Sequence, residues 1–191
     1  MRKWKRVQTL RGTRFRSALA PHEAALLTNM GSAMIGLLDN RESSSPVDEL
    51  EAITGIKTGN SQPPDDPTLT RLLPDFHRPD GHDGAESADA LNGALRSLHE
   101  PAIIDAKRAA AQRMLATVPS GGGRLELTER DAEAWVAAVN DIRLALGVLL
   151  QIGPDGPQRL PADDSMSAHH DVYQWLTVLQ EFLVLALMGS R

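Results

Sequence analysis

Two periods of apolar residues run through this 191-residue chain, one of two and one near 3.6. Alternation dominates the start, where "WKRVQTLRGTRFRSAL" reads as two extended segments turning near Arg11-Gly12, a hairpin. Leu125 and Leu127 alternate with Glu126 in the same way and predict a further strand near residues 124–127. The helical period begins at Pro21. Proline suits the first helical position and Glu23 the first turn, and Ala24, Leu27, Met30, Met34, Leu37 and Leu38 form the stripe. Leu91, Leu95 and Leu98 mark a second helix, which meets Pro101 and should kink there or start anew. Ile103, Ile104, Ala111, Met114, Leu115 and Val118 line a third, ended by "PSGGG".

Two long helices close the chain. From Asp131, with Thr128 and Asp131 as a capping pair, the stripe is Trp135, Val139, Ile142, Leu146, Leu149 and Leu150. In "DVYQWLTVLQEFLVLALM" it is Trp175, Leu179, Phe182 and Ala186. Both helices become apolar all round at their C-terminal ends, so both should plunge into one core there. Between the periodic segments, "SPVDELEAITG" offers a short helix, and residues near 39–67, 77–86 and 153–168 are Ser/Gly/Pro/Asp-rich and expected to be flexible. The predicted fold is one mostly helical α+β domain over 1–191: a small N-terminal sheet, a hairpin plus the strand near 124–127, on about five helices. "RSALAPHEAALL" and "RLELTERDAEAW" share one grammar of strand end, cap, first-turn acid and apolar stripe.

Arg143 lies among apolar neighbours in "NDIRLALGVLLQI" and needs an acceptor, because an unpaired buried charge costs several kcal/mol. Glu181, the last acid before the apolar end of the final helix, is the natural partner. Asp141 is unsuited, since residues two apart on a helix diverge. The pair reads as structural, with a stem covering core as the alternative and a functional pocket as the less favoured reading.

Composition adds constraints. No cysteine is present, which removes disulfides, thiol catalysis and thiolate metal sites. No apolar run spans a bilayer and no signal-peptide pattern follows the basic start, so the expected location is cytoplasmic. "DFHRPDGHDG" gathers Asp75, His77, Asp80, His82 and Asp83, and "HHD" gathers His169 to Asp171. Neither has the rigid spacing of a metal site, and both read as solvated segments. No phosphate loop or nucleophile elbow is visible. No metal, cofactor or catalytic residue is expected, and the chain is read as not an enzyme.

Charge is the feature furthest from average. The first sixteen residues hold seven Lys or Arg and no acid, while the remainder holds 13 basic against 25 acidic residues. Lys3, Lys5, Arg6, Arg14 and Arg16, with Trp4 for contact or stacking, are the candidate interaction residues. A solvated edge strand is the plain reading. A protein contact, a second copy of the chain included, comes next, then nucleic acid, which the acidic pI disfavours.

"AWVAAVNDIRLALG" followed by "YQWLTVLQEFLVLAL", with "LLPDFHRPD" and "EAALL", resembles the actinobacterial domain of unknown function 2017 family over nearly the whole chain. The resemblance implies no activity, cofactor or site residue. Members are often encoded near the ClpS adaptor, which points to an adaptor-type interaction protein linked to Clp proteolysis. A nucleic-acid-associated regulator using the basic hairpin is the alternative.

Overall fold

The computed structural model describes residues 3–45, 58–78, 85–153 and 164–189. Strands β1 (Lys5–Thr9), β2 (Gly12–Leu19) and β3 (Gly123–Leu127) form an antiparallel sheet in the order β1-β2-β3. Among the described residues five helices accompany it: α1 (Pro21–Ser43), α2 (Pro67–Leu72), α3 (Ala85–Thr117), α4 (Glu129–Leu149) and α5 (Asp164–Met188). The fold is α+β and mostly helical. α4 is the hub, packed on α3, α5 and α2, with the sheet over its N-terminal end.

The sheet forms because its inner positions are apolar. Phe15 lies opposite Leu127, and with Leu19 and Leu125 they are buried. β3 starts from "SGGG", where Gly121, Gly122 and Gly123 all have positive φ. A Cβ on Gly122 would stand 2.7 Å from the backbone nitrogen of Pro21, so this turn packs directly on the start of α1. Both strand–helix junctions are capped by an acid. Glu23 accepts the Ala20 N–H at 2.7 Å and the Trp175 indole N–H at 3.0 Å. Asp131 accepts the Thr128 N–H at 3.0 Å, while the Asp131 N–H donates to the Thr128 hydroxyl at 3.2 Å.

Pro101 does not start a new helix; α3 runs through it. Proline supplies no N–H to the carbonyl four residues back, Ser97. The Gly59 N–H takes that place, donating to the Ser97 oxygen at 2.8 Å. A Cβ on Gly59 would meet the Pro101 ring at 2.9 Å, so only glycine lets the backbone come this close.

Several sequence expectations are corrected. Residues 39–43 belong to α1 and 164–168 to α5, and residues 58–66 are anchored, with the Arg41 guanidinium donating to the Gln62 oxygen at 2.6 Å. The short helix expected in "SPVDELEAITG" falls almost wholly outside the described residues. α5 buries Leu176, Leu179, Leu183 and Ala186, a stripe rotated from the expected one; Trp175 and Phe182 are half-buried on its flank. The apolar helix ends are not enclosed on all sides either: Leu149, Leu185 and Met188 are exposed. Asp141 points inward instead of out, buried against Lys107 at 2.7 Å. No helix among the described residues is long and apolar enough to cross a membrane.

Candidate functional site

Directly opposed residues in an antiparallel pair point to the same face. The register therefore sets Lys5, Arg16 and Glu126 in one row across the outer face, with Ala18 and Arg124 in the row before it and Val7 and Arg14 in the row after it on the same face. Lys3, Lys5, Arg16 and Arg124 are exposed and, with Glu126, line an open groove of about 810 Å³. Glu126 is the one carboxylate of that groove. It accepts the Arg16 Nε–H at 2.5 Å and lies 3.7 Å from the Arg14 Nε. That pairing relieves the Lys5–Arg16 juxtaposition, which would otherwise be repulsive. Lys3 reaches sideways, its Nζ 5.6 Å from the centre of the Phe182 ring on α5.

The six residues singled out at the N-terminus thus separate. Lys3, Lys5 and Arg16 share the groove. Arg14 is half-buried, donating to the Thr13 oxygen at 2.9 Å. Arg6 is exposed but leaves the cluster: its Nη1 stands 2.6 Å from where a Cβ on Gly189 would be, at the C-terminal end of α5. Trp4 cannot stack on a base. It is buried and meets Trp135 edge-on, with centroids 5.7 Å apart at 78°. The sequence reading missed Arg124. The alternation that buried Leu125 and Leu127 was the signal, since it sends Arg124 and Glu126 outward.

The expected Arg143–Glu181 pair is corrected as well. Arg143 donates from Nε to the Thr177 hydroxyl at 3.0 Å, from Nη1 to Gln180 at 2.5 Å and from Nη2 to the Tyr173 hydroxyl at 3.5 Å. Its guanidinium also lies 5.3 Å from the Tyr173 ring centre. Glu181 is exposed on another side of α5. A half-buried guanidinium beside two helical turns that carry neutral polar groups finds its acceptors there.

A buried charge network lies elsewhere, and sequence reasoning did not find it. Glu100 bridges Arg41 at 2.7 Å and Arg96 at 2.8 Å, and Arg96 continues to Asp75 at 2.7 Å and to the Leu73 oxygen at 3.0 Å. Arg41, Arg96 and Glu100 are all buried. Arg96 and Asp75 also border a cavity of about 510 Å³ with Asp89 and Asn92. Every charge of the network is matched, so it reads as a clamp joining α1, α3 and residues 62–75. Asp75 serves that clamp; Asp80, His82 and Asp83 lie outside the described residues. No group of three or more metal-ligating side chains occurs among the described residues.

Three mycobacterial relatives bear on the function. A Mycobacterium bovis protein named oxidative stress regulator AosR is 68% identical over 196 residues, covering all of this chain and 90% of its own length. The Mycobacterium tuberculosis protein of the same name matches to the same extent. A Mycobacterium leprae protein named "Putative oxidative stress regulator AosR" is 64% identical over 195 residues, again covering all of this chain and 90% of its own. No solved structure matches. The relatives are named regulators, so the expectation of an adaptor linked to Clp proteolysis is overturned in favour of the regulator reading. Residues 1–187 match the profile described as "Domain of unknown function (DUF2017)", and the chain belongs to that family.

Proposed function

We propose that this protein is a non-catalytic regulator in the oxidative-stress response that associates with nucleic acid, in the cytoplasm, through the outer face of its sheet. The relatives' names support the regulatory role. The carrying observation is the groove in which Lys3, Lys5, Arg16 and Arg124 stand against one carboxylate, on a protein whose net charge is −5. Such a face attracts phosphates, while the acidic body repels them and confines contact to the groove. Trp4 and Phe15 are buried and the half-buried Phe182 ring lies under Lys3, so the contact is with backbone phosphate and not with stacked bases.

Lack of cysteine shapes the regulatory mechanism. The chain has no thiol to oxidise, so an oxidative signal reaches it through a partner or through methionine.

Fluorescence anisotropy of a short labelled duplex tests the reading. Neutralising about four phosphates predicts a log–log salt slope of about −3 to −4. Lys5→Gln, Arg16→Gln and Arg124→Gln combined should abolish binding with circular dichroism unchanged. Absence of binding by the unaltered protein at low salt ends the proposal.

A further inference from the structure

Among the described residues α5 packs on α4, touches the edge strand β1 and meets α1 through Trp175 and Glu23, and one further side is exposed. Along that side Val178, Leu185 and Met188 are 38%, 40% and 74% exposed. Val178 and Leu185 are one heptad apart, so they recur at the same angular position of the helix. At about 100° per residue, Phe182 and Gly189 fall on one flank of the Val178–Leu185 line and Glu181 on the other. The first flank is basic, since Lys3 lies over Phe182 and Arg6 over Gly189. The second is acidic: Glu181 is exposed and forms no ion pair with any described residue. Asp171, exposed one heptad before Val178, stands at the N-terminal end of the same line, and beyond it the apolar stretch with opposite charges on its two sides is complementary to itself.

Only one symmetry uses that complementarity. A two-fold axis parallel to α5 sets the basic flank of one helix against the acidic flank of the other. An antiparallel pair would bring like flanks together. The levels along the axis also agree, because the ring beneath Lys3 belongs to the residue after Glu181.

We propose that the open side of α5 is a homodimer interface, two copies packing their α5 helices in parallel with Val178 and Leu185 each facing their symmetry mates and Lys3 facing the partner's Glu181. Such a helix pair sits near the lower limit of stable interfaces, ~1,200 Å², so dissociation in the micromolar range is expected. The surface is separate from the sheet groove except for Lys3, so the dimer and the nucleic-acid reading stand or fall independently.

The cysteine-free chain provides a clean cross-linking assay. Val178→Cys or Leu185→Cys should form an intermolecular disulfide on mild oxidation, because in-register parallel helices bring these Cα atoms to within about 7 Å. Glu133→Cys, exposed on α4, should not. Light scattering should show mass rising with concentration from 20.7 kDa towards twice that value. Leu185→Glu should raise the dissociation constant at least tenfold while leaving circular dichroism unchanged. Glu181→Arg should weaken the dimer, and adding Lys3→Glu should restore it. A protein monomeric at all concentrations, a dimer that Leu185→Glu leaves intact, or cross-linking at Glu133→Cys in place of Val178→Cys would each overturn the interface.

Discussion

Arg143 shows how a single side chain is decided by its surroundings. Its charge could have been met by an acid, but α5 offers Tyr173, Thr177 and Gln180 on the side that faces α4 and turns Glu181 away. The stability consequences follow. Glu181→Gln should change the free energy of unfolding by less than about 0.5 kcal/mol, as for an ordinary surface site. Arg143→Met should cost about 1–2 kcal/mol, because it strips donors from a half-buried polar cluster but leaves no buried charge behind. Urea melts of both single variants and the double should give additive values; a coupling of several kcal/mol would restore the ion pair.

At the scale of elements, junction chemistry governs. α4 starts where Thr128 and Asp131 satisfy each other's backbone N–H groups, and Arg113 of α3 bonds the same carboxylate at 2.7 Å. Burial alone would push the Asp131 carboxyl up. The Thr128 hydroxyl and backbone bonds and the Arg113 charge outweigh it and hold the group below its ordinary value. A depressed folded pKa means the charged form favours folding. The contribution is therefore full above the unfolded value of about 3.9 and is lost as pH falls through the lower folded value. Asp131→Asn should lower the thermal midpoint near neutral pH, with a cap worth about 1 kcal/mol. The gap to the unaltered protein should close as the pH drops below about 3.9; a gap that stays constant into acid would refute the assignment.

On the scale of the whole molecule, the clamp of Arg41, Glu100, Arg96 and Asp75 holds residues 62–75 against α1 and α3. Glu100 is its centre, facing two buried guanidinium groups. Glu100→Gln should cost about 3–5 kcal/mol in urea melts, since removing one member of a buried network leaves the others desolvated and unmatched. A loss below about 1 kcal/mol would mean water reaches the site.

The sequence by itself determined the element types, the α+β class and most of the core stripes, because each depends on local periodicity, caps and breakers. Trp135, Val139, Ile142 and Leu146 are buried as their spacing required, and the strand at Leu125–Leu127 pairs with the hairpin. Basic character at the N-terminus was likewise legible, because it needs only counting. Tertiary structure decided which cations share a face. Period-two alternation in β1 and β2 says which residues oppose, but only the register with β3 adds Arg124 and Glu126 to the groove. Helix continuity through Pro101 was also a tertiary matter, since the acceptor left by proline is satisfied by Gly59, far away in the chain. So was the clamp: Arg41, Asp75, Arg96 and Glu100 are unremarkable alone, and their meeting depends on the docking of α1, α3 and the intervening segment. The same limit hid the open side of α5. A helix end apolar all round names no face as outer, and Val178 and Leu185 are left exposed where no described element packs on them.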